Sequence, residues 1–132
     1  MIHIVCRRID KDRVLPRLAR ALAKSTGWSI GETPAPGAKL NYFFPYLELQ
    51  KLQWKDTPSA AWFTHKDVAT PAKAALWDNV AGRVDLRTVT ANIYTNDLKQ
   101  HGDTRIVRPV VELDHFTPVK RERSNIVGFS GW

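Results

Sequence analysis

Apolar runs of about five residues recur along this chain and alternate with stretches of helical pattern, and that alternation narrows the fold more than any other feature. Ile2 to Val5 is short, rich in β-branched residues and without helical period, which marks a buried strand. Trp28 to Glu32, Leu40 to Phe44, Ala60 to Thr64, Leu86 to Ala91 and Thr104 to Val107 read as further strands. Helix signals stand between them. Val14, Leu15, Leu18 and Leu22 make one apolar face of a helix that Asp10 or Asp12 can cap, with Pro16 in its first turn and Gly27 just past its end. Thr70-Pro71 opens a second helix over Ala72 to Ala81, stopped by Gly82, and Asn92 is placed to cap a third that runs to Leu98–His101 before Gly102. Tyr46 to Leu52 stays open between a short helix and an irregular connection. Strands that alternate with helices over short connections predict an α/β fold with an open parallel sheet flanked by helices.

At 132 residues the chain is the size of one domain with one core, and 43% hydrophobic against 25% charged residues excludes disordered and fibrous classes. The single cysteine, Cys6, excludes an internal disulfide framework and a cysteine zinc cluster. His3, His101 and His115 lack ligand spacing, so no metal site is expected. The apolar start ends at Arg7-Arg8, and no later run approaches the ~18 residues of a membrane span, which points to a soluble, cytoplasmic chain. The formal charge is +7, and residues 1 to 66 carry most of it. Arg13, Arg17, Arg20 and Lys24 form a stripe opposite the apolar face of the first helix, and solvent exposure is expected for it. Such a stripe suits an anionic membrane surface or an acidic partner as well as plain solvation.

Near the end, Arg105-Ile106-Val107-Arg108-Pro109-Val110-Val111-Glu112-Leu113-Asp114-His115-Phe116-Thr117-Pro118 resembles the interdomain segment of two-domain glycosyltransferases of the GT-B type, in particular the family-four group. Pro109, Val111, Phe116 and Pro118 fall in register with that group's pattern, while Val110 replaces a usual glycine and Glu112 a usual aspartate. Trp62-Phe63-Thr64-His65-Lys66-Asp67 is similar to the group's strand ending in a histidine. Val89-Thr90-Ala91-Asn92, with Leu98 and Gly102, resembles its strand, small polar residue and helix, and Ile126 to Gly131 its second glycine loop. The likeness covers residues 60 to 132; before that only the strand and helix pattern agrees. Cys6-Arg7-Arg8-Ile9-Asp10 lacks the glycine-rich turn usual after the first strand.

The resemblance implies a Rossmann-like acceptor-side domain over residues 1–117, then a linker and the first strand of a C-terminal donor-binding domain over 118–132. It implies transfer of a sugar from a nucleotide-sugar donor to a saccharide or lipid-linked acceptor, with no activity from this chain alone. No metal and no covalently held cofactor follow from it, and the implied location is the cytoplasm or the inner membrane surface. His65 would hydrogen-bond the transferred sugar; a histidine held by backbone at a strand end is the other reading. Arg7 and Arg8 could contact phosphate through forked donors or form a solvated pair. Asn92 could reach the cleft or cap its helix, and Asp67 could orient His65 or cap the helix after it. Trp28, Trp54, Trp62 and Trp77 read as core or rim, with stacking on an acceptor ring open to one near His65. The rival reading is a free-standing basic α/β module that binds nucleotides or nucleic acid without catalysis.

Overall fold

A computed structural model describes residues 1–50, 52, 54 and 57–108. The strands are β1 (Ile2–Val5), β2 (Ser29–Gly31), β3 (Leu40–Phe43), β4 (Ser59–Phe63), β5 (Leu86–Val89) and β6 (Thr104–Ile106). The helices are α1 (Val14–Thr26), α2 (Pro71–Ala81) and α3 (Thr95–Lys99), with 3₁₀ turns at Tyr46–Leu49 and Asn92–Tyr94. All strand pairs are parallel and the sheet order is β2-β1-β3-β4-β5-β6. This is an open, Rossmann-like α/β sheet flanked by helices. The expected linker and first strand of a further domain over residues 118–132, and the segment Pro109 to Pro118, lie outside the described residues.

Strand periodicity separates two cores. Ile4, Cys6, Tyr42, Phe44 and Ala60 face α1, where Ala19 packs with half-buried Leu15, Leu18 and Leu22. Val5, Phe43, Ala61, Phe63 and Val89 face the other way, onto Trp77, Val80 and Ala81 of α2 and Leu98 of α3. Phe63 lies edge-on to Trp77 and stacks on Tyr46 at 5.2 Å, so the 3₁₀ turn after β3 belongs to the second core. Neither helix start follows its expected side-chain cap. Arg13 occupies the N-cap of α1 and makes no capping bond, while the Asp12 carboxylate pairs with Arg17 Nε at 3.5 Å. Arg17 is half-buried, against the expectation of exposure, whereas Arg13, Arg20 and Lys24 are exposed as expected. Asn92 lies within a 3₁₀ turn whose N-cap is Ala91, so it does not cap α3. Gly27 ends α1 in the left-handed region at φ +71°, donating to the Ala23 carbonyl at 2.9 Å.

A buried hydroxyl relay crosses the first core. The Tyr42 phenol donates to Thr88 Oγ1 at 2.7 Å, and Thr88 donates on to the Ala61 carbonyl at 3.2 Å. Burial pushes the Tyr42 phenol from 10.0 to about 12, against a smaller opposing pull from the Thr88 bond. The folded state therefore holds this proton more tightly than the unfolded chain. The resulting stability is complete below pH 10 and is lost as pH rises through 12, an amount of about 2–3 kcal/mol. Urea midpoints measured from pH 8 to 12 should fall less for Tyr42→Phe than for the parent. Equal falls would show that the phenol contributes nothing.

A crevice at the carboxyl edge of the sheet

In open α/β sheets ligands settle beyond the carboxyl ends of the strands, where the order reverses direction. Here the reversal falls between β1 and β3, because the chain passes from β1 out to β2 and then back to β3 on the other side of β1. The register deepens that point. Val5 pairs with Phe43 and Phe43 with Ala61, whereas β4 and β5 continue to the pair Phe63 and Val89. β1 and β3 thus stop two residues lower, about 7 Å at the rise of a strand.

The crevice above them has a volume of about 190 Å³ and is lined by Arg7, Glu32, Thr33, Pro34, Leu47 and Glu48, with Leu52. Arg7 Nε donates to Glu48 Oε2 at 2.5 Å, and the guanidinium stays open to solvent while Glu48 is largely covered. Glu32 Oε1 accepts from the Ile9 backbone N–H at 3.3 Å. Arg8 follows at φ +56°, a left-handed backbone rare for a side chain of this size. The turn that a glycine would favour is therefore made by an arginine, and its exposed guanidinium comes with it. Donors from Arg7 and acceptors from Glu32 and Glu48 suit a ligand with both hydroxyl and anionic groups. Cys6 at the end of β1 offers no nucleophile, since burial first, and the Glu48 charge second, push its thiol up to about 11.

His65 lies beyond β4, two strands from β1, about 10 Å along the edge at normal strand spacing. It is exposed and has no hydrogen-bond partner among the described residues. Its loop is pinned on both flanks. Trp77 Nε1 donates to the Thr64 carbonyl at 3.3 Å, and Lys66 Nζ sits 2.8 Å from Asp78 Oδ1 and 4.9 Å over the Trp77 ring. Asp67 receives Lys73 Nζ at 3.1 Å, and hydrogen bonds from Lys73 first and Thr70 second hold its carboxyl below the ordinary value. Asp67 thus secures the start of α2 rather than His65, and Thr70, at the N-cap, makes no side-chain capping bond of its own.

Asn92 is exposed at the same edge beyond β5, three strand spacings from β1 or about 14 Å. One edge therefore carries Arg7, Arg8, His65 and Asn92, but of these four only Arg7 lines the crevice. Among the described residues, neither Trp62 nor Trp77 offers a free platform beside His65. Trp77 is fully buried, and Trp62 stacks on Phe44 at 4.5 Å while donating to Thr90 Oγ1 at 3.1 Å. Glu32 and Glu48 escaped the sequence reading, since Glu48 meets Arg7 across 41 positions and no local pattern foretells such a pair. No protein-family model, curated protein or solved structure matches this chain.

Proposed function

We propose that the chain is the acceptor-side half of a GT-B type glycosyltransferase, in which sugar passes from a nucleotide-sugar donor to a saccharide or lipid-linked acceptor. The observation that carries this reading is the stepped carboxyl edge, which joins a mixed donor and acceptor crevice to an exposed histidine on a pinned loop. In that reading Arg7, Glu32 and Glu48 hold acceptor hydroxyls or an acceptor anion, Arg8 faces donor phosphate, and His65 donates to the transferred sugar. Asn92 bounds the far end of the edge. Donor and acceptor must be held together for transfer at a useful rate, and the donor side belongs to a second half.

The rival, a basic module for nucleic acid, draws on the net charge of +7. One titration separates them. Saccharide acceptors added to the labelled chain should shift amide resonances at Arg7, Arg8, Glu48 and His65, and nucleotide sugars should remain unhydrolysed over buffer. Duplex or single-stranded nucleic acid should bind weakly at physiological salt. Tight nucleic-acid binding that falls steeply with salt, or sugar release by the chain alone, would overturn the assignment.

A further inference from the structure

The two faces of the sheet are covered unequally, and the difference leaves a second site. On the face of α2 and α3 the side chains of β4 and β5 are fully buried. Among the described residues, α1 is the helix on the other face, and a cavity of about 280 Å³ opens beside it. Its walls are Leu18 and Leu22 of α1 with Trp28, Phe44, Trp62 and Leu86.

The polar atoms at the centre of this lining are paired with one another or with backbone. Tyr42 donates to Thr88, Thr88 donates to the Ala61 carbonyl, and Trp62 Nε1 donates to Thr90. Over Tyr42, Thr88 and Trp62 an occupant therefore meets polar atoms that are already engaged, and a polar body lying there would lose its hydration without replacement. Among the described lining residues the one charge is Arg108, which is exposed and follows β6. Hydrocarbon walls with a single guanidinium select a molecule that is apolar along its length and anionic at one end. At roughly 30 Å³ per non-hydrogen atom in a condensed phase, the volume holds about ten such atoms.

We infer that this cavity binds a monomeric single-chain alkyl carboxylate of about ten carbons, with its chain beside α1 along the sheet and its carboxylate against Arg108. The site is separate from the crevice at the β1 and β3 ends, and it stands whether or not the glycosyl-transfer reading holds.

Straight-chain carboxylates from hexanoate to dodecanoate, titrated below their micellar concentrations into the full chain, test it. Calorimetry gives the affinity, and methyl resonances of Leu18, Leu22 and Leu86 give the location. One molecule should bind per chain, the affinity rising about fourfold per added methylene and levelling off near decanoate as the cavity fills. Arg108→Gln should weaken decanoate about tenfold and leave decanol unchanged. Leu22→Trp, checked for an intact amide spectrum, should block both. Decanol binding as tightly as decanoate to the parent would remove the anionic end from the proposal. Absence of saturable binding, or shifts outside these methyls, would remove the site. Nuclear Overhauser contacts from the same methyls to residues 109–132 would assign the face to the chain's own C-terminal segment. Dimerisation that competes with decanoate would assign it to a second copy, and either result defeats the proposal.

Discussion

Replacing Arg87 with methionine is expected to cost about 3–5 kcal/mol of folding stability, because several backbone carbonyls lose their donor at about 1–3 kcal/mol for each one left buried and unpaired. Arg87 is 4% exposed on β5 and spends its donors on backbone. Nε donates to the Ala81 carbonyl at 2.7 Å, Nη2 to Val84, and Nη1 to Asp85 at 3.2 Å and Asp103 at 3.4 Å. These carbonyls belong to the end of α2, the connection into β5 and the entry to β6, so one side chain closes three segments. Burial lowers the guanidinium from its ordinary value, and the charges of Asp85 and Asp103 oppose that shift. Methionine fills much of the space and returns none of the donors. Lysine keeps the charge but has one nitrogen for four carbonyls, and should lose an intermediate amount. The melting temperature of Arg87→Met should fall by roughly 10–20 °C. A loss under 1 kcal/mol in urea unfolding would mean that water takes over the carbonyls at little cost. Gly102 belongs to the same arrangement, because its φ is +135° and a Cβ there would stand 2.7 Å from Arg87 Nη1.

The second large effect concerns His65 and rests on the proposed glycosyl transfer. In an enzyme assembled from this chain and a donor-binding half, His65→Ala should lower kcat and kcat/KM together by about ten- to a thousandfold, or ~1.4–4 kcal/mol. Equal losses in both identify a bond made as charge develops on the sugar. The fold gives the variant no reason to unfold, since His65 is exposed and has no hydrogen-bond partner among the described residues. Its melting temperature should stay within a degree or two of the parent. A falling melting temperature with unchanged kcat would return His65 to a structural role at the strand end.

Local pattern made much of this architecture legible. Apolar runs located each described strand to within two residues at its ends, because a buried parallel strand needs a continuous hydrophobic run on both faces. Gly27 and Gly82 marked the ends of α1 and α2 through backbone chemistry that acts at short range. The caps were less legible. Asp12 carries the right group for α1 but meets Arg17, a competitor that a capping rule does not weigh. Strand order and the crevice depended on pairing across the chain, and Glu48 with Arg7 is an instance. The burial of Arg87 has no local signal, because it depends on the chain around Ala81, Val84 and Asp103 folding to supply carbonyls that make burial acceptable.

The two-residue step at the carboxyl edge carries one more consequence, which concerns dielectric. A charge on a level sheet edge meets water from every outward direction, and its pull on a ligand is damped accordingly. Within the crevice, Pro34, Leu47 and Leu52 replace part of that water with polarisable hydrocarbon. Field lines from Arg7 toward an anion in the crevice then run partly through a medium in which the same separation yields a stronger interaction. The same medium strengthens the hold of Glu48 on Arg7, so an incoming anion competes against a rival that the step also favours. Under the proposed function, an anion at this edge would have to satisfy the Arg7 guanidinium better than Glu48 already does.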